Sequence, residues 1–178
     1  MIGSKRKKIV LCKEGVYMKN EKEIREFLVT NLEGSWSHVG FSRAIDGFPK
    51  ELRTKRVEHL DHTAWDLVYH MRAAQRDIIE FISSNNYEER SYPSGYWPKD
   101  KPECSENEWD EVVHAFQDDL EVMSKIILDD SMDLFSPLPN GNGQNLMREA
   151  MVIGNHNSYH IGQLIDIRML LAVPVRDW

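Results

Sequence analysis

Apolar residues recur at intervals of three and four positions along four separate stretches of this chain. That spacing places them on one face of an α-helix, and the sequence shows no convincing strand-type alternation of apolar and polar residues. The pattern therefore predicts an all-α fold, a four-helix bundle. The clearest apolar faces are Leu67, Met71, Ala74, Ile78 and Phe81 in the second helix, Val112, Phe116, Leu120, Met123 and Ile127 in the third, and Leu146, Ala150, Ile153, Leu164 and Leu171 in the fourth.

A polar residue that can cap a helix precedes each of the four stretches. A side-chain oxygen at that position accepts a hydrogen bond from a free amide of the first turn, and an acidic residue three positions later completes a capping box. We therefore expect the helices to begin directly after these residues. The predicted caps are Asn20, Thr63, Ser105 and Asn145, and the first three are paired with Glu23, Asp66 and Glu108.

The connections between the predicted helices are long. Residues 33–62 contain a predicted short extra helix near Phe41 to Ile45, and residues 129–144 end in the helix-breaking run PNGNGQ. Residues 87–104, YEERSYPSGYWPKDKPEC, are long enough to carry the chain from one end of a bundle to the other.

Length, charge and cysteine content narrow the possible functions. A chain of 178 residues suits a single domain, which we expect at residues 18–178 after a flexible extension at 1–17. The net charge of −7 argues against binding nucleic acid. No apolar run approaches the ~20 residues that a membrane helix needs. Cys12 and Cys104 form neither a metal-type pair nor a disulfide framework, which indicates a cytoplasmic protein.

Two histidines in the fourth helix, His156 and His160, have a spacing that suits metal binding. Side chains four residues apart lie on one helical face, so both imidazoles can reach one ion. The pair alone is weak evidence, because this spacing also occurs by chance in pairs of partly exposed helix histidines. A zinc protease of the HExxH type is excluded, because Asn157 occupies the position of its catalytic glutamate.

His70 is the best candidate for a third ligand. It lies in the second helix between Val68 and Met71, beside the apolar face, where an imidazole needs a polar partner. A histidine at the edge of the core that is bonded to a carboxylate would satisfy the same pattern. The other histidines, which fit less well because they lie near loops or have no partner at ligand spacing, are His38, His59, His62 and His114.

Several of these segments together resemble the DinB/YfiT-like family of metal-binding four-helix bundles. The resemblance rests on HTAWDLVYHMRAAQRDIIEF, on GYWP, on GQNLMREAMVIGNHNSYHIGQL and on FPKELRTKR, and it covers roughly residues 20–172. In that family a histidine of the second helix and an HxxxH pair of the last helix hold a divalent metal, often zinc or nickel. The resemblance therefore implies His70, His156 and His160 as ligands, an up-down-down-up helix order and a homodimer.

The chemistry implied by the resemblance remains open between several classes. We expect a metal-dependent enzyme that uses a low-molecular-weight thiol in S-transfer to or from a small-molecule substrate. A metal-dependent hydrolase is the alternative within enzymes. A non-catalytic protein that binds a metal or small ligand is the alternative outside them, and a helical interaction protein with incidental histidines is a further one. The sequence identifies neither the substrate nor a catalytic residue.

Spacing also suggests which residues could support the ligands. Asp66 lies one turn before His70, although it could equally serve the Thr63 cap, and Gln163 lies one turn after His160. Asn155 is adjacent to His156 and could orient it or face solvent. Scattered basic residues that could attract an anionic thiol are Arg72, Arg148 and Arg168. The loop aromatics Tyr92, Tyr96 and Trp97 could cover a pocket or anchor their loop on the bundle, and Trp65 is expected in the core.

Overall fold

The computed structural model describes residues 14–34, 37–99 and 103–175, with side chains from residue 20 onward. This part of the chain is helical and contains no strand, which confirms the all-α prediction. None of its helices combines the length and apolar character that crossing a membrane requires. The helices are α1 (Glu14–Glu33), α2 (Phe41–Ile45), α3 (Ala64–Ser83), α4 (Glu106–Leu128) and α5 (Leu146–Leu170), with a 3-10 turn at Lys50–Leu52.

Three of the four predicted helix starts are confirmed. Thr63 and Ser105 each form a complete capping box, and the side chain of Asn145 accepts from the Arg148 amide. The prediction for Asn20 is wrong, because α1 begins at Glu14 and runs through this residue. An asparagine inside a helix costs well under ~1 kcal/mol, too little to end a helix that its neighbours support. Of the expected extension, residues 1–13 lie outside the described residues.

The core consists of two apolar clusters placed one after the other along the long helices. The first joins α2 and the residues after it to the starts of α3 and α4 and to the end of α5. The second joins α1 to the ends of α3 and α4 and to the start of α5. Between them, the contact of α3 with α5 is polar, and every candidate metal ligand lies there or at its edge.

A buried chain of amides crosses this polar region. Nε2 of Gln75 in α3 donates to the Phe116 carbonyl in α4 at 2.8 Å, and Nδ2 of Asn157 in α5 donates to Oε1 of Gln75 at 3.0 Å. Gln75 and Asn157 are only 1% and 2% exposed. Buried amides are costly when unpaired, so these bonds fix the separation and register of α3, α4 and α5.

Arg168, near the end of α5, bonds to α2 and to the segment that follows α5. It is 1% exposed and donates to the carbonyl oxygens of Ala44, Asp46 and Pro174. A guanidinium has five N–H donors and can satisfy several carbonyls at once. Arg168 therefore holds α2 and the segment after α5 against the same helix.

Two glycines of α5 provide a matched test of how closely α1 approaches it. A β-carbon at Gly154 would lie 2.0 Å from Nδ2 of Asn31, whereas one at Gly162 would meet nothing within 4 Å. Alanine is the better helix former by roughly 1 kcal/mol. We expect Gly162→Ala to raise the free energy of unfolding by about that amount, and Gly154→Ala to lower it because Asn31 must move. Urea denaturation measures both, and an equal gain in the two variants would contradict this close packing.

Candidate metal centre

The structure brings His70, His156 and His160 together at the contact of α3 with α5. One nitrogen from each ring lies within 4.8 Å of the other two, and Nε2 of His70 is 3.0 Å from Nε2 of His156. His156 and His160 project from consecutive turns of α5, as their spacing predicted, and His70 approaches from α3. The arrangement is half-buried to buried.

These distances suit a small divalent ion. Metal–nitrogen bonds of about 2.0–2.1 Å in tetrahedral geometry place two ligand nitrogens about 3.3 Å apart. The two Nε2 atoms of His70 and His156 are 3.0 Å apart, which is close to that value. The ligand nitrogens of all three rings lie within 4.8 Å of one another, so small side-chain movements would bring them to metal-binding distance. The three histidines could therefore hold a metal ion.

The outer nitrogens of two rings have partners that orient the inner ones. Nδ1 of His70 lies 3.3 Å from the Tyr96 carbonyl oxygen, and Nδ1 of His160 lies 2.6 Å from Oε1 of Gln163. A carbonyl oxygen only accepts, so each Nδ1 carries the proton and each Nε2 keeps its lone pair for a ligand. Gln163, which spacing alone suggested as a supporting residue, therefore contacts His160.

Asn157, the residue after His156, turns toward α3, where its Nδ2 donates to Oε1 of Gln75. Its Oδ1 is buried and has no hydrogen-bond partner among the described residues. Asn155 is exposed on the other side of the helix. Asp66 accepts from the Thr63 amide as part of the capping box, and His70 uses Tyr96 instead.

The loop before α4 covers one side of the centre. The indole of Trp97 stacks on the His70 ring, with centroids 4.0 Å apart and planes 4° from parallel, and its other neighbour is His62 at 4.0 Å. The hydroxyl of Tyr96 donates to Asp77 on α3 at 2.7 Å, which anchors the loop. Tyr92 is 85% exposed and Trp65 is buried in the first cluster, so neither covers the centre.

The three ligands are held in the neutral form. Burial, followed by the charge of His160, lowers the pKa of His70 to about 4. Burial, followed by the charges of His160 and His70, lowers the pKa of His156 to about 4. Burial also lowers the pKa of His160. Neutral imidazole is the form that binds a metal, so the site needs no deprotonation at neutral pH.

A polar cavity of about 260 Å³ adjoins the centre on the α5 side. Its wall includes Gln163, which contacts His160, and His62, which stacks on Trp97. The basic residues considered from the sequence do not create a positive groove here. Arg72 pairs with Asp119, Arg148 with Glu149, and Arg168 with backbone carbonyls.

Comparisons of the chain with models of known protein families, with curated proteins and with solved structures gave no match. Membership of the DinB/YfiT-like family therefore stays a prediction that rests on the motifs of the sequence.

The lowered histidine pKa values predict an acid-sensitive fold in the metal-free protein. An exposed histidine has a pKa near 6.5, so between about pH 6.5 and 4 the unfolded chain binds more protons than the folded one. The contribution of these neutral rings to the free energy of unfolding is complete above about pH 6.5 and is lost as the pH falls toward 4. We expect the double variant His70→Gln, His156→Gln to show a smaller loss of unfolding free energy over this range. His59→Gln, whose side chain is 90% exposed, is the control. Equal pH dependence in all three proteins would contradict the assignment.

Proposed function

We propose that this protein is a metal-dependent enzyme whose ion is held by His70, His156 and His160. The observation that supports this most directly is the convergence of their inner nitrogens while the outer nitrogens of His70 and His160 are bonded elsewhere. Structural zinc sites are usually closed by four protein ligands, whereas catalytic sites keep three and an open position. The described residues add no fourth Cys, His, Asp or Glu to this cluster.

We further propose the four-helix bundle of up-down-down-up order that the family resemblance implies. The ring of Trp65 lies 6.5 Å from Trp109, and further along the same two helices Gln75 bonds to Phe116, which supports parallel α3 and α4. The first cluster combines the start of α3 with the end of α5, which supports an antiparallel pair. Asn31 faces Gly154, and the later residue His38 bonds to Ser158, which supports α1 parallel to α5.

The chemistry we favour is S-transfer with a low-molecular-weight thiol, using zinc or nickel. A divalent ion on three neutral imidazoles keeps its full charge, so when bound it would stabilise a thiolate or lower the pKa of a water molecule. The chain's own residues would orient the ligands, and Trp97 would exclude water from one side. The cavity beside Gln163 and His62 offers space for a small substrate.

A metal-dependent hydrolase is the second candidate, because the same open position could bind water. A non-catalytic protein that binds a metal or a small ligand is the third candidate.

Metal analysis of the purified protein, followed by thermal-shift measurements with small thiols, separates these proposals. A thiol that raises the melting temperature only of the metal-loaded protein supports S-transfer. A metal-loaded protein that no thiol stabilises, and whose cleavage of ester or amide substrates stops when a chelator removes the metal, supports hydrolysis. If neither result is obtained, a binding role is supported.

Removal of the three ligands should abolish metal uptake and leave the fold. The helices carry caps and two apolar clusters, and a chain of this size does not need an ion to fold. We expect the triple variant His70→Ala, His156→Ala, His160→Ala to unfold cooperatively, with a loss of a few kcal/mol at most. That is far below the ~10–16 kcal/mol of structural zinc in small domains. Calorimetry with and without metal tests this, and a triple variant that is unfolded at 25 °C would instead make the site structural.

We also propose that the protein forms a homodimer. Apolar side chains are exposed along the outer face of α5 and on α1, at Phe27, Met151, Val152, Tyr159, Met169 and Leu170. Sedimentation at micromolar concentration should show a dimer, and replacement of Val152 and Met169 by glutamate should shift it to monomer. A wild-type protein that sediments as a monomer would contradict this proposal.

A further inference from the structure

A serine and a histidine are in contact on the side of α5 that faces away from the three-histidine centre. Nε2 of His38 lies 2.8 Å from Oγ of Ser158, and Nδ1 of His38 lies 2.8 Å from the Val39 carbonyl oxygen. Ser158 is two residues from His156 and from His160. Two steps of 100° turn its side chain by about 200°, to nearly the opposite side of the helix from both histidines.

The hydrogen bonds around His38 set its tautomer. The Val39 carbonyl only accepts, so Nδ1 of the neutral ring carries the proton and Nε2 has a lone pair that needs a donor. Oγ of Ser158 also lies 2.8 Å from the Gly154 carbonyl oxygen. The hydroxyl has one proton and can donate to either acceptor, but the Gly154 carbonyl also receives the Ser158 amide of α5, whereas Nε2 of His38 has no other donor among the described residues. The hydroxyl proton is therefore best directed to Nε2, which is the arrangement of a nucleophile with its general base.

Gly34 allows the His38 ring to reach this position. Its φ of +71° is unfavourable for residues other than glycine, and a β-carbon there would lie 2.5 Å from Cε1 of His38. The ring is thus packed directly on the backbone at the end of α1. One side of the base is fixed by Gly34 and its outer nitrogen by Val39, so its orientation is set before any ligand arrives.

The pair opens into a cavity of about 540 Å³ that differs from the one beside the metal centre. Apolar side chains contribute much of its wall, and the exposed guanidinium of Arg43 is at its edge. Such a space suits a short apolar acyl chain, and Arg43 is the basic side chain among its lining residues. The lining residues are Ser37, His38, Val39, Arg43, Ser158, Ile161, Gly162, Ile165 and Asp166.

We propose that Ser158 and His38 form a nucleophile–base pair that cleaves small carboxylic esters bound in this cavity. Oγ of Ser158 bonds to the ester carbonyl carbon while its proton moves to Nε2 of His38. The ester C–O bond then breaks, and His38 returns the proton to the leaving alcohol. Water next attacks the acyl-serine, gives a proton to His38 and releases the carboxylic acid, after which Oγ recovers its proton. The net reaction is ester plus water to acid plus alcohol.

A fluorophosphonate probe on the full-length protein, with peptide mass spectrometry, tests this proposal. The probe forms an Oγ–P bond and releases fluoride when a serine is activated. Ser83 and Ser124 are internal controls. Like Ser158, each has its hydroxyl bonded to the carbonyl four residues earlier, but no histidine contact to either is found in the described part of the chain. We expect the label on Ser158 and not on these two. His38→Gln should slow labelling about 100-fold or more, the usual effect of losing a general base.

Two further measurements separate this proposal from the metal-dependent one. Gly34→Ala should also slow labelling, since it displaces His38 while both residues of the pair remain. With p-nitrophenyl butyrate, the wild type and Ser124→Ala should release a burst of about one nitrophenol per chain, and Ser158→Ala should not. A chelator should leave the labelling unchanged. No label on Ser158, or labelling at the same rate in a folded His38→Gln variant, would show that the pair only braces the loop against α5, with the metal centre unaffected.

Discussion

The polar middle of the α3–α5 contact is the constraint on which the rest of the structure depends. Gln75 and Asn157 are almost fully buried there, and each unpaired amide group would cost about 1–3 kcal/mol. The bonds from Asn157 to Gln75 and on to Phe116 avoid much of that cost in one register of the three helices. The same register sets how far His70 on α3 stands from His156 on α5. The two apolar clusters lie on either side of this region and hold it closed.

The candidate centre combines burial with lone pairs that face one another. In His70 and His160 the outer nitrogen meets a neutral oxygen, from Tyr96 and Gln163. No carboxylate is bonded to these rings in the described part of the chain, so their partners would not reduce the charge of a bound ion. Burial, followed by the charge of neighbouring histidines, opposes protonation of His70 and His156 and lowers their pKa values, and burial also lowers the pKa of His160. The three neutral rings could hold a metal ion.

The helices and the meeting of His156 with His160 could be predicted from the sequence because both depend on local spacing. Capping boxes at Thr63 and Ser105 and the four-residue step from His156 to His160 follow from helical geometry alone. The start of α1 was not predicted, because a cap signal at Asn20 is only a small preference that flanking residues override. For His70, spacing predicted only that it lies beside the apolar face of its helix. Its role as a metal ligand was implied by the family resemblance.

The supporting contacts were harder to predict because they join residues that are distant in the chain. The stacking of Trp97 on His70, and the bonds of Gln75 to Phe116 and Asn157, depend on how loops and helices meet. Adjacency to His156 suggested Asn155, but Asn157 is equally adjacent, and their side chains differ by two steps of 100° around the helix. Asn157 is the one that faces α3 and is buried, whereas Asn155 is exposed.

The same rotation explains how one short stretch of α5 can serve two separate environments. His156 and His160 face α3 and the loop that carries Trp97, whereas Ser158 faces the segment after α1 and His38. Ser158 is therefore not part of the histidine centre, although it lies between His156 and His160 in the sequence. Gly154 lets α1 approach close to α5 one turn before Ser158, which brings the following segment within reach of its hydroxyl. The separation of the two faces means that each can be altered by substitution while the other is measured.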